Sequence, residues 1–245
     1  MKQFGLIGKS LSHSFSKKYF SDKFQKESIS DCSYELYELK VIDEIHKLFE
    51  LPNLRGLNVT VPYKEAILPY LTKIDEEAAL IGAVNTILIQ GKERIGYNTD
   101  IIGFKKSIRP FLAKEHSRAL ILGTGGAAKA IAIALKQLDI RYFYCSRSQA
   151  TQGEIINYND LDEQVIASFP LIINCTPLGT HPNIEEIPPV PLKGISEKHL
   201  VFDLVYNPLQ SKLLFEAKSR GALICNGLNM LKMQAEASWK IWNVE

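Results

Sequence analysis

Apolar residues along this chain recur in two alternating patterns. Short runs rich in β-branched and aromatic residues indicate strands, and the stretches between them have the 3.6-residue spacing of amphipathic helices. This alternation is typical of an α/β fold. The predicted strands cover residues 4–8, 33–39, 55–61, 83–89, 94–97, 119–122, 141–145, 155–158, 171–177, 199–206 and 222–225, with a hairpin turn at 90–92. The predicted helices lie around residues 19–24, 42–49, 66–71, 76–81, 101–111, 127–138, 160–169, 209–219 and 227–242.

A glycine-rich turn organises the second half of the chain. The strand at 119–122 stops at Gly123-Thr124-Gly125-Gly126 and a helical run follows, so that Gly123, Gly125 and Ala128 fit the pattern G-x-G-x-x-G/A. In this pattern the second glycine lets the backbone approach a pyrophosphate, and the helix N-terminus offers N–H groups to phosphate oxygens. We therefore expect a dinucleotide site here. The alternative is a tight turn that holds no ligand.

The residues after the next strand predict a preference for NADP over NAD. NAD-binding proteins usually place an acidic residue about 20 positions past the glycine loop, where it bonds the ribose 2′-hydroxyl. This chain has Ser146 and Arg147 instead. The planar guanidinium of Arg147 suits a 2′-phosphate and can stack on adenine. The alternative is a solvated arginine at a strand end.

The first hundred residues form a separate α/β unit that precedes the dinucleotide unit. Between the two strands at 141–145 and 155–158 the chain leaves little room for a helix, although a parallel connection normally needs a dozen or more residues. We expect a lost or reduced helix within residues 148–156. The alternative is that the strand at 155–158 pairs differently.

Composition narrows the functional class. A net charge of +2 without a block of Lys or Arg gives no support to nucleic-acid or membrane-surface binding. The start of the chain has no long apolar region, and no apolar run is long enough to span a bilayer, so we expect neither a signal peptide nor a membrane span. The cysteines are scattered, which favours reduced thiols in the cytoplasm over disulfides. The five histidines show no metal spacing, and we interpret them as structural or solvated.

Two charged residues at predicted strand ends are candidates for acid–base chemistry. Reduction of a carbonyl needs a proton donor as charge develops on the oxygen. The ammonium of Lys64 could donate that proton, with Asp100 orienting it, although the sequence leaves open which residue moves the proton. The alternative is that both are solvated surface charges. The serines at 10–16 could cap a helix or bind a polar ligand.

The chain resembles the shikimate dehydrogenase family over nearly its whole length. The motifs that carry this resemblance occur in the family's order: Ser14-Phe15-Ser16, Asn58-Val59-Thr60-Val61-Pro62-Tyr63-Lys64, Gly82-Ala83-Val84-Asn85-Thr86, Asn98-Thr99-Asp100, Gly123-Thr124-Gly125-Gly126-Ala127-Ala128, Ser146-Arg147 and Asn226-Gly227-Leu228 with Gln234.

The resemblance implies a reversible, NADP-linked reduction of 3-dehydroshikimate to shikimate in aromatic amino-acid biosynthesis. It implies a substrate-binding domain over residues 1–101, completed by the C-terminal helix at 227–245, and a Rossmann-like, doubly wound NADP domain over 102–226, with the site in the cleft between them. Lys64 and Asp100 would be the catalytic pair. The implied substrate-binding residues are Ser14, Ser16, Thr60, Asn85, Tyr206 and Gln234. The implied cofactor-binding residues are Gly123, Gly125, Gly126, Ala127, Ser146, Arg147, Thr176 and Gly227. No metal is expected, the partner is a small-molecule substrate, and the enzyme would be a monomer or homodimer.

The chain departs from the family pattern in places. Lys17 and Ile101 stand where the family usually has proline and glycine, and Pro177 follows Thr176 where serine is more common. A second basic residue and a helix that often follow Arg147 are absent, so the NADP preference rests on fewer contacts. Two rival interpretations remain: a quinate/shikimate dehydrogenase that uses NAD or NADP, and a non-catalytic sensor that binds NADP and shikimate.

Overall fold

The computed structural model describes residues 1–11, 14–147 and 155–243 of the chain. Its contacts divide the chain into two compact units, the first formed by residues 1–99 and 234–245 and the second by residues 100–233.

The first unit is built on a six-stranded mixed sheet in the order β2-β1-β3-β5-β6-β4. Its strands are β1 Lys2–Gly8, β2 Cys32–Glu38, β3 Leu54–Val59, β4 Lys73–Ile74, β5 Thr86–Gln90 and β6 Glu93–Tyr97. Its helices are α1 Phe15–Lys26, α2 Ile45–Phe49, α3 Tyr63–Ala66 and α4 Glu76–Ile81. Strand β1 is parallel to β2 and β3, whereas β5 runs antiparallel to β3 and β6. The predicted hairpin between β5 and β6 is confirmed.

The second unit is built on a six-stranded parallel sheet. Its helices are α5 Asp100–Ile108, α6 Gly126–Lys136, α7 Glu163–Ala167, α8 Lys212–Ser219 and α9 Leu228–Trp242, of which residues 234–242 count with the first unit. Its strands are β7 Arg118–Leu122, β8 Arg141–Ser146, β9 Ile155–Asn157, β10 Leu171–Asn174, β11 Leu200–Asp203 and β12 Leu223–Asn226. The sheet order β12-β11-β10-β7-β8-β9 is the 3-2-1-4-5-6 order of dinucleotide-binding sheets when β7 is counted first. The predicted α/β fold with a doubly wound second unit is confirmed.

Several elements are shorter than the apolar pattern predicts, because polar side chains end them locally. Strand β11 ends at Asp203 rather than at residue 206, since the Asp203 carboxylate accepts a hydrogen bond of 3.0 Å from the N–H of Val205. Helix α8 begins at Lys212 rather than at residue 209 because Ser211 caps it. Asp162 caps α7 in the same way. The two-residue strand β4 was missed because it is too short to show any periodicity.

The structure shows how the strand that follows the short connection after β8 pairs in the sheet. Strand β9 pairs in parallel with β8, so the alternative of a different pairing is wrong. The expected loss of a helix within residues 148–156 falls mainly on 148–154, which lie outside the described residues.

Aromatic packing fixes the end of α9 in the first unit. The indole ring of Trp242 stacks on Phe4 of β1 with 4.8 Å between ring centroids, and its N–H donates to the carbonyl of Ile87 at 3.0 Å. Gly56 of β3 makes room for this ring, because a Cβ there would lie 2.2 Å from the indole nitrogen. The C-terminal half of α9 is therefore held against the sheet by burial and by a directed hydrogen bond.

Within the described residues, no helix is both long enough and apolar enough to cross a membrane.

Candidate active site

Three predicted substrate-binding residues of the first unit follow neighbouring parallel strands. Ser14 and Ser16 come after β1, and Thr60 comes directly after β3. The Ser14 hydroxyl accepts a hydrogen bond of 3.2 Å from the N–H of Ser16 and so caps α1, which confirms that a serine of this loop is an N-cap. The N–H of Thr60 donates to the carbonyl of Ile7 at 2.9 Å. These side chains therefore start from the carboxyl edge of the parallel strands, where open α/β sheets bind ligands.

Two further predicted substrate-binding residues, Asn85 and Gln234, contact each other directly. The Asn85 Oδ1 accepts the N–H of Thr99 at 2.7 Å, so that the Asn85 Nδ2 faces Gln234 and donates to its Oε1 at 3.4 Å. The Thr99 hydroxyl lies 3.3 Å from the same Gln234 oxygen. Because Thr99 is fully buried and Asn85 is 3% exposed, the Asn85 amide is shielded from competing water, whereas Gln234 is half-buried.

A buried polar network extends from this amide pair to α1. The Asn58 Nδ2 faces the main-chain carbonyl of Asn85 at 3.2 Å and the hydroxyl of Ser238 at 2.9 Å. The Tyr34 hydroxyl donates to the Asn58 Oδ1 at 2.8 Å and also bonds the side chain of Ser16. Burial raises the pKa of Tyr34, which keeps its hydroxyl protonated as a donor. Ser16, Asn85 and Gln234 thus belong to one connected network.

The two candidate acid–base residues lie on different elements. Lys64 is on the single-turn helix α3, half-buried, and its main-chain carbonyl accepts the N–H of Val84 at 2.8 Å. Asp100 is the first residue of α5 and is 6% exposed. Lys64 counts with the first unit and Asp100 with the second, and their catalytic pairing stays a prediction.

The glycine turn of the second unit has the geometry that a phosphate cradle needs. Gly123 adopts a φ of +103°, a conformation that side-chain-bearing residues rarely take, and its N–H donates to the carbonyl of Cys145 at 2.9 Å. A Cβ at Gly125 would meet no described atom within 4 Å. The backbone before Gly126 and Ala127, at the start of α6, is therefore open to the close approach of a ligand.

The remaining predicted cofactor residues lie at the same edge of the second sheet. Ser146 ends β8, the exposed Arg147 follows it, Thr176 follows β10 and the buried Gly227 follows β12. The strands are parallel and in register, so their carboxyl ends meet at one edge. Tyr206, a predicted substrate-binding residue, follows β11 and is half-buried.

The buried carboxylate of Asp203, the last residue of β11, stabilises this edge of the sheet through hydrogen bonds. The Asp203 Oδ1 accepts the Asn174 Nδ2 at 2.9 Å, and its Oδ2 accepts the Ser211 hydroxyl at 2.5 Å. The Asn174 Oδ1 in turn accepts both the N–H and the hydroxyl of Thr176, at 3.0 and 2.7 Å. Asp203 therefore fixes the side chain of Asn174, which holds Thr176 in place.

We expect the stability of the protein to depend on pH through Asp203. Burial raises the pKa of this carboxyl to about 6, although its hydrogen bonds act in the opposite direction. The carboxyl of an unfolded chain titrates near 4, so between about pH 4 and 6 the folded state binds a proton that the unfolded state does not. The resulting stabilisation is fully present below about pH 4 and is lost as the pH rises through 6, by about 3 kcal/mol in all.

The measurement is a titration of the Asp203 side-chain carbon by NMR, with a midpoint expected near pH 6. In the Asp203→Asn variant, the free energy of unfolding should lose this component of its pH dependence. A midpoint at or below pH 4 would mean that the three hydrogen-bond donors outweigh burial.

Five members of the buried network had no predicted role: Tyr34, Asn58, Thr86, Thr99 and Ser238. Asn58, Thr86 and Thr99 stand inside the motifs, but their sequence neighbours were the predicted ligands. Ser238 lies one helical turn after Gln234, and that spacing is the signal that could have placed it on the same face of α9. The contacts between strands and helix could not be read from the sequence.

The described histidines agree with the predicted structural or solvated roles, and His46 and His181 are exposed. The buried His116 and His199 accept main-chain N–H groups through Nδ1, at 2.9 and 3.0 Å, whereas His13 lies outside the described residues. All four cysteines are free thiols, as predicted. Among the described residues, no group of three or more His, Cys, Asp or Glu side chains is arranged to hold a metal ion.

The parallel sheet order, the positive φ of Gly123 and the open space at Gly125 define a dinucleotide-binding protein of the Rossmann class, joined here to a second α/β unit with a polar site. Residues 6–87 match the family model described as the shikimate dehydrogenase substrate binding domain. The chain is 41% identical over 248 residues to the shikimate dehydrogenase (NADP(+)) of Clostridium botulinum, covering 97% of this chain and 95% of that protein.

Solved structures agree with this match. A shikimate dehydrogenase of Peptoclostridium difficile is 36% identical with a TM-score of 0.85, covering 99% of this chain and 91% of that one. The enzyme of Thermus thermophilus in complex with NADP(H) and shikimate is 28% identical with a TM-score of 0.88, covering 99% and 94%. The chain therefore belongs to the shikimate dehydrogenase family.

Proposed function

We propose that this protein catalyses the reversible, NADP-linked reduction of 3-dehydroshikimate to shikimate in aromatic amino-acid biosynthesis. The observation that carries the proposal is the 41% identity to a shikimate dehydrogenase (NADP(+)) over 97% of the chain, which spans both units. The N-terminal unit acts as the substrate domain, in agreement with the family model over residues 6–87.

The polar residues of the first unit bind the substrate. Shikimate carries a carboxylate and several hydroxyls, which need partners of matching polarity. Ser14, Ser16, Thr60, Asn85 and Gln234 supply hydroxyl and amide groups, and Tyr206 adds a phenol from the second unit. A polar site that includes a buried amide such as that of Asn85 discriminates strongly, because an analogue that lacks a hydroxyl leaves a polar group of the protein without its partner. The network that connects Ser16, Asn85 and Gln234 supports this assignment.

Lys64 and Asp100 carry the proton chemistry. When bound, NADPH supplies a hydride to the carbonyl carbon of the substrate. The carbonyl oxygen then needs a proton, which the Lys64 ammonium donates, and Asp100 orients that ammonium. In the reverse direction the same pair accepts the proton of the hydroxyl. A sensor without catalysis would have no use for such a pair.

The carboxyl edge of the second sheet holds the cofactor. A Cβ at Gly125 would fill open space next to the N-terminus of α6, so the backbone at Gly125, Gly126 and Ala127 fits a pyrophosphate. Ser146 and Arg147 bind the 2′-phosphate, because a hydroxyl and a guanidinium both donate to phosphate oxygens. Gly123, Thr176 and Gly227 complete the edge.

We further propose that the enzyme works in the cytoplasm as a monomer or homodimer, with no nucleic-acid or membrane partner. Four free thiols and a net charge of +2 support this setting, because reduced cysteines suit a reducing compartment and a nearly neutral chain has little affinity for polyanions.

The test is a steady-state assay of the purified protein with shikimate or quinate and with NADP or NAD. We expect shikimate oxidation with NADP to give the highest kcat/KM. Quinate turnover comparable to that of shikimate would favour the quinate/shikimate branch of the family. Binding of both ligands without turnover would favour the sensor.

The Arg147→Ala variant tests the cofactor preference in the same assay. Loss of a charge-assisted hydrogen bond to phosphate should raise the KM for NADP by about 10-fold and leave the KM for NAD nearly unchanged. Arg118→Ala provides the matched control, because Arg118 is an exposed arginine at the amino end of β7, whereas Arg147 follows the carboxyl end of β8. Equal kcat/KM with the two cofactors in the unmodified enzyme would contradict the predicted preference.

A further inference from the structure

We infer that Ser238, a residue outside the predicted substrate contacts, is a positioning residue that fixes which ends of the Asn85 and Gln234 amides face the substrate. The inference rests on the proposed function, in which these two amides bind shikimate. It concerns the first unit alone, to which all of the participating residues belong.

The orientation of the amides follows from groups that can only donate or only accept. The N–H of Thr99 can only donate, so the Asn85 atom that lies 2.7 Å from it is the oxygen. The Asn85 Nδ2 consequently points to Gln234, and the Gln234 atom that faces it at 3.4 Å is the oxygen Oε1. In the proposed function the NH₂ group at the other end of this amide is the donor to a hydroxyl, carbonyl or carboxylate oxygen of the substrate.

Ser238 stabilises this arrangement through the contacts of its hydroxyl group. Its fully buried hydroxyl lies 2.7 Å from the hydroxyl of Thr86, 3.2 Å from that of Thr99 and 3.0 Å from the main-chain carbonyl of Gln234. It also accepts the Asn58 Nδ2 at 2.9 Å. A serine hydroxyl has one donor and two acceptor positions, so these four neighbours exceed its three hydrogen-bonding positions and leave none unused.

Ser238 is connected to both amides through the hydroxyls of Thr86 and Thr99. The Thr99 hydroxyl contacts Ser238 and also both amide oxygens, with 3.1 Å to the Asn85 Oδ1 and 3.3 Å to the Gln234 Oε1. Thr86 likewise contacts Ser238 and donates to the Asn85 Oδ1 at 3.1 Å. Without the Ser238 hydroxyl these two threonines lose a common partner and can turn to other acceptors. The Asn85 amide then keeps only the bond from the Thr99 N–H as a fixed constraint, and the Gln234 amide that faces it is held less firmly.

The test compares Ser238→Ala with the unmodified enzyme and with Ser107→Ala as a matched control. Ser107 is also a buried helical serine, and its hydroxyl has no hydrogen-bond partner among the described residues. We expect Ser238→Ala to raise the KM for shikimate by about 10-fold while the KM for NADP changes by less than about 2-fold. The reason is that the polar groups that lose the Ser238 hydroxyl as a partner all lie in the first unit, which is proposed to bind shikimate. Ser107→Ala should leave both constants unchanged.

A double-mutant cycle decides whether Ser238 acts through the amides. In a Gln234→Ala background, Ser238→Ala should add less than about 3-fold, since the amide that it positions is gone. An equal effect in both backgrounds, or an unchanged KM for shikimate in Ser238→Ala, would overturn the inference. If Ser238→Ala does not fold, Ser238→Cys keeps the size of the side chain with a weaker donor, and the same split between the two KM values applies.

The cycle also separates this inference from the proposed function. A raised KM for shikimate in Gln234→Ala with an unaffected Ser238→Ala would reject the positioning role and leave the substrate site intact. An unchanged KM in Gln234→Ala would reject the proposed substrate site together with the inference.

Discussion

Replacement of Lys64 by alanine is expected to lower kcat for shikimate oxidation by about 10²- to 10⁴-fold, the usual share of general acid–base catalysis. The variant removes the ammonium that donates the proton, and the affinity for shikimate should change less than turnover. The half-buried position of Lys64 at the start of α3 means that the loss of its alkyl stem costs little packing. The measurement is kcat and KM at saturating NADP.

A matched lysine in the same unit controls for the loss of a positive charge. Lys73 is exposed and forms a 2.6 Å salt bridge with Glu93, and pairs of this kind contribute about 1 kcal/mol or less to stability. Lys73→Ala should therefore retain the kcat of the unmodified enzyme. A kcat close to that of the unmodified enzyme in Lys64→Ala would remove Lys64 from the mechanism.

Replacement of Gly227 by alanine is expected to destabilise the second unit by about 3 kcal/mol, at the upper end of the usual cost of overpacking. A Cβ at this position would lie 2.0 Å from the main-chain oxygen of Leu204 and 2.6 Å from its carbonyl carbon. Main-chain atoms cannot rotate away as a side chain can. The chain would have to move where Gly227 donates its N–H to the carbonyl of Val205 at 3.1 Å.

Thermal unfolding without cofactor measures this effect. A change of 1 kcal/mol shifts the Tm of a chain of this size by about 2–4 °C, so a decrease of about 6–12 °C is expected. Gly125→Ala is the control, because its φ of −72° suits any residue and its Cβ would meet no described atom within 4 Å. A Tm for Gly227→Ala equal to that of Gly125→Ala would contradict the prediction, because it would show that the main chain around Leu204 and Gly227 can move without a loss of stability.

The glycine loop illustrates why part of the site could be predicted. Strand, turn and helix are consecutive in the chain, so the pattern around Gly123 and Gly125 contains the whole structural unit, and the structure confirms each part. The N-cap role of Ser14 is equally local, since its partner is two residues away. Predictions failed by a few residues where a side chain ended an element early, as Asp203 and Ser211 do.

The buried network illustrates what could not be predicted. Its bonds join Asn58 to Ser238 across 180 residues and Thr86 to Ser238 across 152 residues. The antiparallel insertion of β5 beside β3 brings Asn58 opposite Thr86, and no local pattern specifies that order of strands. The roles of Ser238, Asn58 and Thr86 therefore emerge only when the strands and α9 are packed.

By itself, the sequence determined the α/β class, the glycine turn, the family and the identity of the polar groups available for chemistry, because each of these depends on residues that are neighbours in the chain. The tertiary structure alone decided the order of the strands and which polar groups form hydrogen bonds with one another. Those outcomes depend on the burial of apolar surface across the whole chain, which brings distant donors and acceptors together where water cannot satisfy them.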